Sequence, residues 1–222
     1  QGVKAIDEGV GRLLTALRKS GQLENTLVIF TADQGIGWGQ HGFRVKLAPY
    51  DATIRSPLII SMPSRLPKGK ICRTPVAGVD LVPTFFHYAQ IDLPWKMHGE
   101  NLQPILLNPE ARSNKTALTV MTGKKYGQDT HIIPTNREDL YLNNVPWWVS
   151  LRKGSYKYIR TLVAGETEEL YDLKRDPEEL VNLAHYRRFK STVLQFRKAM
   201  IEELKDVDAK FVQGLPSVGT GY

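Results

Sequence analysis

Cysteine is almost missing from this chain of 222 residues: Cys72 is the only one, which excludes an internal disulfide and a cysteine-based zinc site. Long apolar runs are missing as well. No stretch approaches the roughly 20 residues of a membrane-spanning helix, so no membrane span is expected, and no charged-then-apolar leader opens the chain. Neither internal repeats nor low-complexity tracts occur. Charge is not concentrated in one place: 30 basic and 23 acidic residues give +7, scattered rather than striped, and no basic-aromatic module stands out, so no nucleic-acid partner is expected. What is present, 41% hydrophobic and 24% charged residues, suits a globular protein with a substantial core. The first residue is Gln1, and Gly2-Val-Lys-Ala-Ile6 runs straight into a helical pattern, so a preceding segment is expected.

Apolar residues Ile6, Val10, Leu13, Leu14 and Leu17 recur at helical spacing, with Gly21 as a stop. Residues 26–32, a continuous apolar and β-branched run, predict a strand buried on both faces and hence a parallel sheet. A second run over Pro57–Pro63 predicts another strand. Asp80, ahead of Leu81, Val82, Phe85, Phe86 and Ala89, predicts a helix with a carboxylate N-cap. This alternation is α/β. The texture changes near Asn108-Pro109, and residues 108–144 read as a polar surface segment. Trp147–Leu151 and Ser155–Thr161 then predict a hairpin turned at Lys153-Gly154, with a third strand at Leu170–Leu173. Asp176-Pro-Glu-Glu179 predicts the opening of a helix. A last helix is expected over about residues 187–208, with Phe189, Val193, Phe196, Met200 and Ile201 on its buried face. Its basic start and acidic end oppose the macrodipole, so packing must hold it. The tail after Phe211 is expected to be loosely held.

The stretch "TADQGIGWGQHGFRVK", residues 31–46, carries the chemistry. Ligands in open α/β sheets collect beyond the carboxyl ends of strands, where Asp33 and Gln34 fall. A carboxylate beside an amide carbonyl is an all-oxygen pair suited to a hard cation, calcium or magnesium, rather than zinc. Gly35, Gly37, Gly39 and Gly42 permit tight turns and close backbone approach. His41 and Lys46 add positive charge suited to a sulfate or phosphate group. The same residues also make an ordinary solvated turn.

With its flanks, this stretch resembles the sulfatase family of the alkaline-phosphatase-like superfamily. The resemblance runs through "NTLVIFTADQG", "GWGQHGFRVK", "YDATIRSPLII", "VAGVDLVPTFFHYAQI", "HGENLQPIL" and "GSYKYIRT…EELYDLKRDPEELVNLA". Three positions depart from the family pattern: Gln34 stands for histidine or asparagine, Gln40 for glutamate and Asp51 for glutamate. The resemblance implies residues 1–108 as the C-terminal part of an α/β/α catalytic sandwich, with the metal and sulfate loop at 31–46. Residues 109–222 would form an insertion and a small α+β subdomain with an antiparallel sheet and a terminal helix. It implies hydrolysis of a sulfate ester, calcium rather than magnesium held by Asp33 and Gln34, and Lys46 on the sulfate and the leaving oxygen. His41 would line the pocket, and Arg55 would pair with Asp51. The formylglycine nucleophile of the family comes from a Cys/Ser-x-Pro/Ala-x-Arg motif that this chain lacks. Cys72, in Cys-Arg-Thr-Pro-Val, reads as a surface residue. The expected partners are therefore the remaining N-terminal half of a sulfatase and a sulfated small molecule or sulfated glycan, with periplasmic or secreted localisation, and the chain alone is expected to be inactive.

Two rival functions use the same residues, a phosphate or phosphonate ester hydrolase and a non-catalytic binder of sulfated glycans. Trp147 and Trp148 read as core and rim, with stacking on a sugar as the functional alternative. His98 reads as a loop closure, and His131 as a specificity contact.

Overall fold

A computed structural model describes residues 2–219; Gln1 and Thr220, Gly221 and Tyr222 of the tail lie outside the described residues, and with them the expectation attached to Gln1. The first half of the chain carries α1 (Gly2–Lys19), β1 (Val28–Thr31), β2 (Gly37–Trp38), β3 (Arg44–Val45), α2 (Asp51–Ile54), β4 (Leu58–Ser61), α3 (Leu81–Ala89) and α4 (Gln103–Leu107). The second half carries β5 (Thr116–Met121), α5 (Arg137–Leu140), β6 (Tyr141–Leu142), β7 (Val145–Pro146), β8 (Trp148–Lys153), β9 (Tyr156–Thr161), β10 (Glu169–Asp172) and α6 (Lys190–Asp206). The chain divides into two compact units. One comprises the segments up to Ala32, Pro57–Arg73 and Asp80–Arg112; the other comprises Asp33–Ser56, Thr74–Val79 and the chain from Ser113 onward.

In the first unit β1 pairs with β4, Val28 opposite Ser61 and Thr31 opposite Leu58. The pairing is antiparallel, not parallel as expected, and the strands are not buried on both faces, Ile59 being 62% exposed. A continuous apolar run specifies that a strand forms; it carries no information on the direction of the neighbour. Asp80 precedes α3 as expected, yet its side chain does not cap the helix. Its Oδ1 accepts from the Glu100 N–H at 2.9 Å, while Thr84 Oγ1 donates to the Asp80 carbonyl at 2.7 Å and accepts from the Leu102 N–H at 2.9 Å. The carboxylate therefore ties down a loop instead of the first helical turn. Cys72 is exposed, in a loop.

The second unit is built on an antiparallel sheet in the order β10-β9-β8-β5. β8 and β9 form the expected hairpin. Lys153 pairs with Tyr156, which places the two-residue turn at Gly154-Ser155, one position later than expected, with Gly154 at φ 58°. β5 was not expected in the polar segment 108–144; its run Thr-Ala-Leu-Thr-Val-Met pairs with the full length of β8 as an edge strand. The core gathers Trp147, Val149, Leu151, Tyr158, Leu162 and Leu170 against Val193, Phe196, Met200 and Leu204 of α6. Phe189 and Ile201 pack at its margin. This apolar face holds α6 despite its reversed terminal charges. Trp147 and Trp148 are both buried, so neither is the rim residue expected.

Two further expectations give way. Residues 176–179 do not open a helix: the Asp176 carboxylate accepts from the N–H groups of Leu180 and Val181 at 3.0 and 2.9 Å, and Glu179 takes φ 57°. The same acids that favour a helix N-terminus also close a turn. The tail is not loose as far as it is described. The Gly165 N–H donates to Ser217 O at 3.0 Å and the Gly219 N–H to Glu166 O at 2.8 Å, and Arg160 donates to the Pro216 carbonyl.

Candidate functional site

Asp33 and Lys46 stand thirteen residues apart and are brought together by the short ladder of β2 and β3 between them, in which Gly37 faces Val45 and Trp38 faces Arg44. The tip is closed by Gly39 N–H to Phe43 O at 3.0 Å and by Phe43 N–H to Gln40 O at 2.9 Å. Gln40 Oε1 accepts from the Trp38 N–H at 2.6 Å, which gives this departure from the family pattern a bracing role. Gly39 and Gly42, at φ 120° and 75°, make the turn possible. Gly35 meets a different need: a Cβ there would lie 2.6 Å from Ala52 O and 2.8 Å from Arg55 O. At Gly35 the close backbone approach is to the carbonyls of Ala52 and Arg55.

The hairpin leaves the Lys46 ammonium 2.8 Å from Asp33 Oδ2. Asp33 Oδ1 accepts from the Gln34 N–H at 2.8 Å. The bond from Lys46, the Gln34 N–H and the charge of Lys46 hold the Asp33 carboxyl below the usual carboxylate range. The pair is open to solvent, Asp33 being 70% exposed. Backbone strain flanks Lys46 on both sides, with Val45 at φ 66° and Leu47 at φ 87°. For a β-branched residue this is a rare conformation, and such strain persists only where the surroundings over-determine it. One determinant is the Trp148 indole, whose Nε1 donates to Leu47 O at 2.7 Å.

His41 is held separately. Its ring lies 3.7 Å from that of Tyr50, at an interplanar angle of 4°. Its Nε2 is 3.0 Å from Glu178 O. Tyr50 in turn donates to Glu169 at 3.1 Å, and Tyr171 donates to the same carboxylate at 2.5 Å. Burial and Glu169 push both phenols well up, so they remain donors. The structure thus joins Asp33 with Lys46 and places Gln34 beside them, whereas the hydrogen bond and ring contact of His41 go to Glu178 and Tyr50.

Beneath this loop sits a buried ion cluster that sequence reasoning missed. Lys157 Nζ lies 2.9 Å from Asp51 Oδ1 and 2.7 Å from Glu179 Oε1, and Glu179 Oε2 accepts from the Asp51 N–H at 2.6 Å. Burial pushes the Glu179 carboxyl up, and Lys157 opposes that shift. Asp51 therefore pairs with Lys157, not with Arg55 as expected; Arg55 is exposed. The partners are more than a hundred residues apart in the chain, and no local spacing marks them.

Whether a hard cation fits can be judged from the donors. Asp33 is ionised and accessible, with a second lone pair on each oxygen, and Gln34 adds a neutral oxygen, which suits calcium chemistry. Among the described residues no group of three or more His, Cys, Asp or Glu could hold a metal. Calcium takes six to eight oxygens, about 2.3–2.6 Å away, so these two side chains fit as part of a coordination shell.

The comparisons with known proteins give this arrangement a class. A solved structure, BT4656 in complex with its substrate D-glucosamine-2-N,6-O-disulfate, is 30% identical, covers 94% of this chain and 40% of its own, and superposes with a TM-score of 0.74. A phosphonate monoester hydrolase from Silicibacter pomeroyi shares the fold at 22% identity and a TM-score of 0.70, covering 93% of this chain and 40% of its own. The class is thus the alkaline-phosphatase-like α/β fold. Residues 1–91 match the Sulfatase family model. An N-acetylglucosamine-6-O-sulfatase of Bacteroides thetaiotaomicron is 31% identical over 93% of the chain, and an arylsulfatase of Clostridium perfringens is 29% identical over 94%. The chain belongs to the sulfatase family. It spans 35% and 40% of the length of these two relatives.

Proposed function

We propose that the chain supplies part of the anion pocket of a sulfate-ester hydrolase. The observation that carries this reading is the 2.8 Å approach of Lys46 to Asp33, which sets an ammonium beside an ionised, solvent-open carboxylate. Asp33 and Gln34 would hold calcium, which, when bound, polarises the oxygens of a tetrahedral ester. The Lys46 ammonium stabilises negative charge on the ester and on the departing oxygen. His41 borders the pocket as a hydrogen-bonding group. The formylglycine nucleophile belongs to the remaining part of a sulfatase, with which this chain would act. Cys72 lies in the other compact unit and lacks the motif.

A sulfated sugar is the favoured substrate class, by likeness to the relatives named for an amino-sugar sulfate. A Drosophila melanogaster relative, named an extracellular sulfatase homolog, covers 49% of the chain and favours export. Among the described residues no helix is long and apolar enough to cross a membrane. In the full-length protein, Asp33→Ala abolishes calcium-dependent hydrolysis of an aryl sulfate, and Lys46→Ala lowers kcat/KM by about 10²–10³-fold. Unchanged turnover in Asp33→Ala defeats the reading. Preference for a phosphonate monoester over the sulfate would transfer the same residues to phosphonate hydrolysis.

A further inference from the structure

Two contacts fix the His41 ring, the stacked Tyr50 and the Glu178 carbonyl, and one residue is bonded to the chain next to both. Glu179 directly follows the residue whose carbonyl accepts in that contact, and its Oε2 accepts from the N–H of Asp51, the residue after Tyr50, at 2.6 Å. Its Oε1 is 2.7 Å from Lys157, which also reaches Asp51 at 2.9 Å. Glu179 is 2% exposed, in the left-handed region at φ 57°, inside a turn closed by the Asp176 carboxylate. We propose that Glu179 is a positioning residue that fixes both the orientation and the tautomer of His41. A carbonyl oxygen can only accept, so the 3.0 Å contact requires the proton on Nε2. Neutral His41 then keeps the lone pair on Nδ1, the atom left to accept a hydrogen bond or a proton. Glu179 enforces this by clamping the carbonyl on one side and the Tyr50–Asp51 step on the other. The significance of the tautomer for hydrolysis rests on the proposed function; the tautomer itself does not.

The test is nitrogen NMR of the ¹⁵N-histidine-labelled full chain above the ordinary histidine titration range, with His41 assigned by Glu- and Tyr-independent loss of its signals in His41→Asn. The expected spectrum has a protonated Nε2 and a bare Nδ1. Glu179→Gln retains an acceptor of the same reach and keeps that spectrum, whereas Glu179→Asn, which tolerates the left-handed backbone but is too short to reach Asp51, gives averaged shifts at both nitrogens. Glu179→Gly preserves the turn without any side chain and serves if the asparagine variant does not fold. A protonated Nδ1 in the unsubstituted chain overturns the proposal, as does a single Nε2–H tautomer surviving in the asparagine or glycine variant. The Asp51 amide needs no variant: slow hydrogen exchange supports the clamp, and exchange at the rate of an open loop overturns it. None of these measurements involves turnover, so their failure leaves sulfate hydrolysis standing, and failed hydrolysis leaves the tautomer standing.

Discussion

Asp33 reports on the geometry of its own loop. Its carboxyl is held low chiefly by the hydrogen bond from Lys46, so the ion pair contributes fully above the ordinary aspartate range and is lost as pH falls through the depressed folded value. A carbonyl-carbon titration of Asp33 is expected to fall below the ordinary aspartate range, and Lys46→Met to return it toward that range. An unshifted midpoint in the unsubstituted chain would mean that the 2.8 Å contact does not persist in solution. Lys46 and Asp33 were legible in the sequence because a glycine-rich hairpin is a local device, and its closure by Gln40 and Phe43 involves neighbours. Glu179 and Lys157 were not legible. Their pairing with Asp51 is made across the fold, and Asp176-Pro-Glu-Glu carries the composition of a helix start whichever structure it adopts.

Among the elements, α2 and the segment before β2 are packed too closely for a side chain. Gly35→Ala places a Cβ against two backbone carbonyls that cannot rotate away, and is expected to destabilise the chain by about 1–3 kcal/mol. Gly78→Ala, with nothing within 4 Å, serves as the control, and denaturant unfolding compares the two. Trp148→Phe keeps the ring but removes the donor to Leu47 O, with an expected loss of about 1 kcal/mol. The same change should raise the Asp33 titration midpoint, because the strained backbone beside Lys46 loses an anchor. Periodicity disclosed α1, α3, α6 and the β8–β9 hairpin, since each repeats its apolar residues at a fixed interval. It failed at β5, whose alternation is short and lies between polar stretches, and it could not tell that β1 and β4 run in opposite directions.

At the scale of the whole molecule, burial is uneven. α1 has no buried residue, and Ile6 and Leu13 of its apolar stripe are 56% and 69% exposed, whereas Trp148–Leu151 of β8 and Lys157–Arg160 of β9 are buried. Limited trypsin digestion is therefore expected to cut at Arg12, Arg18 and Lys19 before any site in β8 or β9. Early cleavage at Lys157 would contradict the sheet as described. That lysine also decides the stability of the second unit. Lys157→Met leaves two carboxylates buried side by side and is expected to cost about 3–5 kcal/mol in chemical unfolding.

The indole of Trp148 grips a carbonyl 101 residues earlier in the chain. A ribosome delivers residues in order, and domains generally fold as units once they have emerged. Asp33 and Lys46 therefore leave the exit tunnel before the ring that steadies their loop has been translated, and the nascent polypeptide must carry that hairpin unsecured until Trp148, 101 residues after Leu47, has emerged.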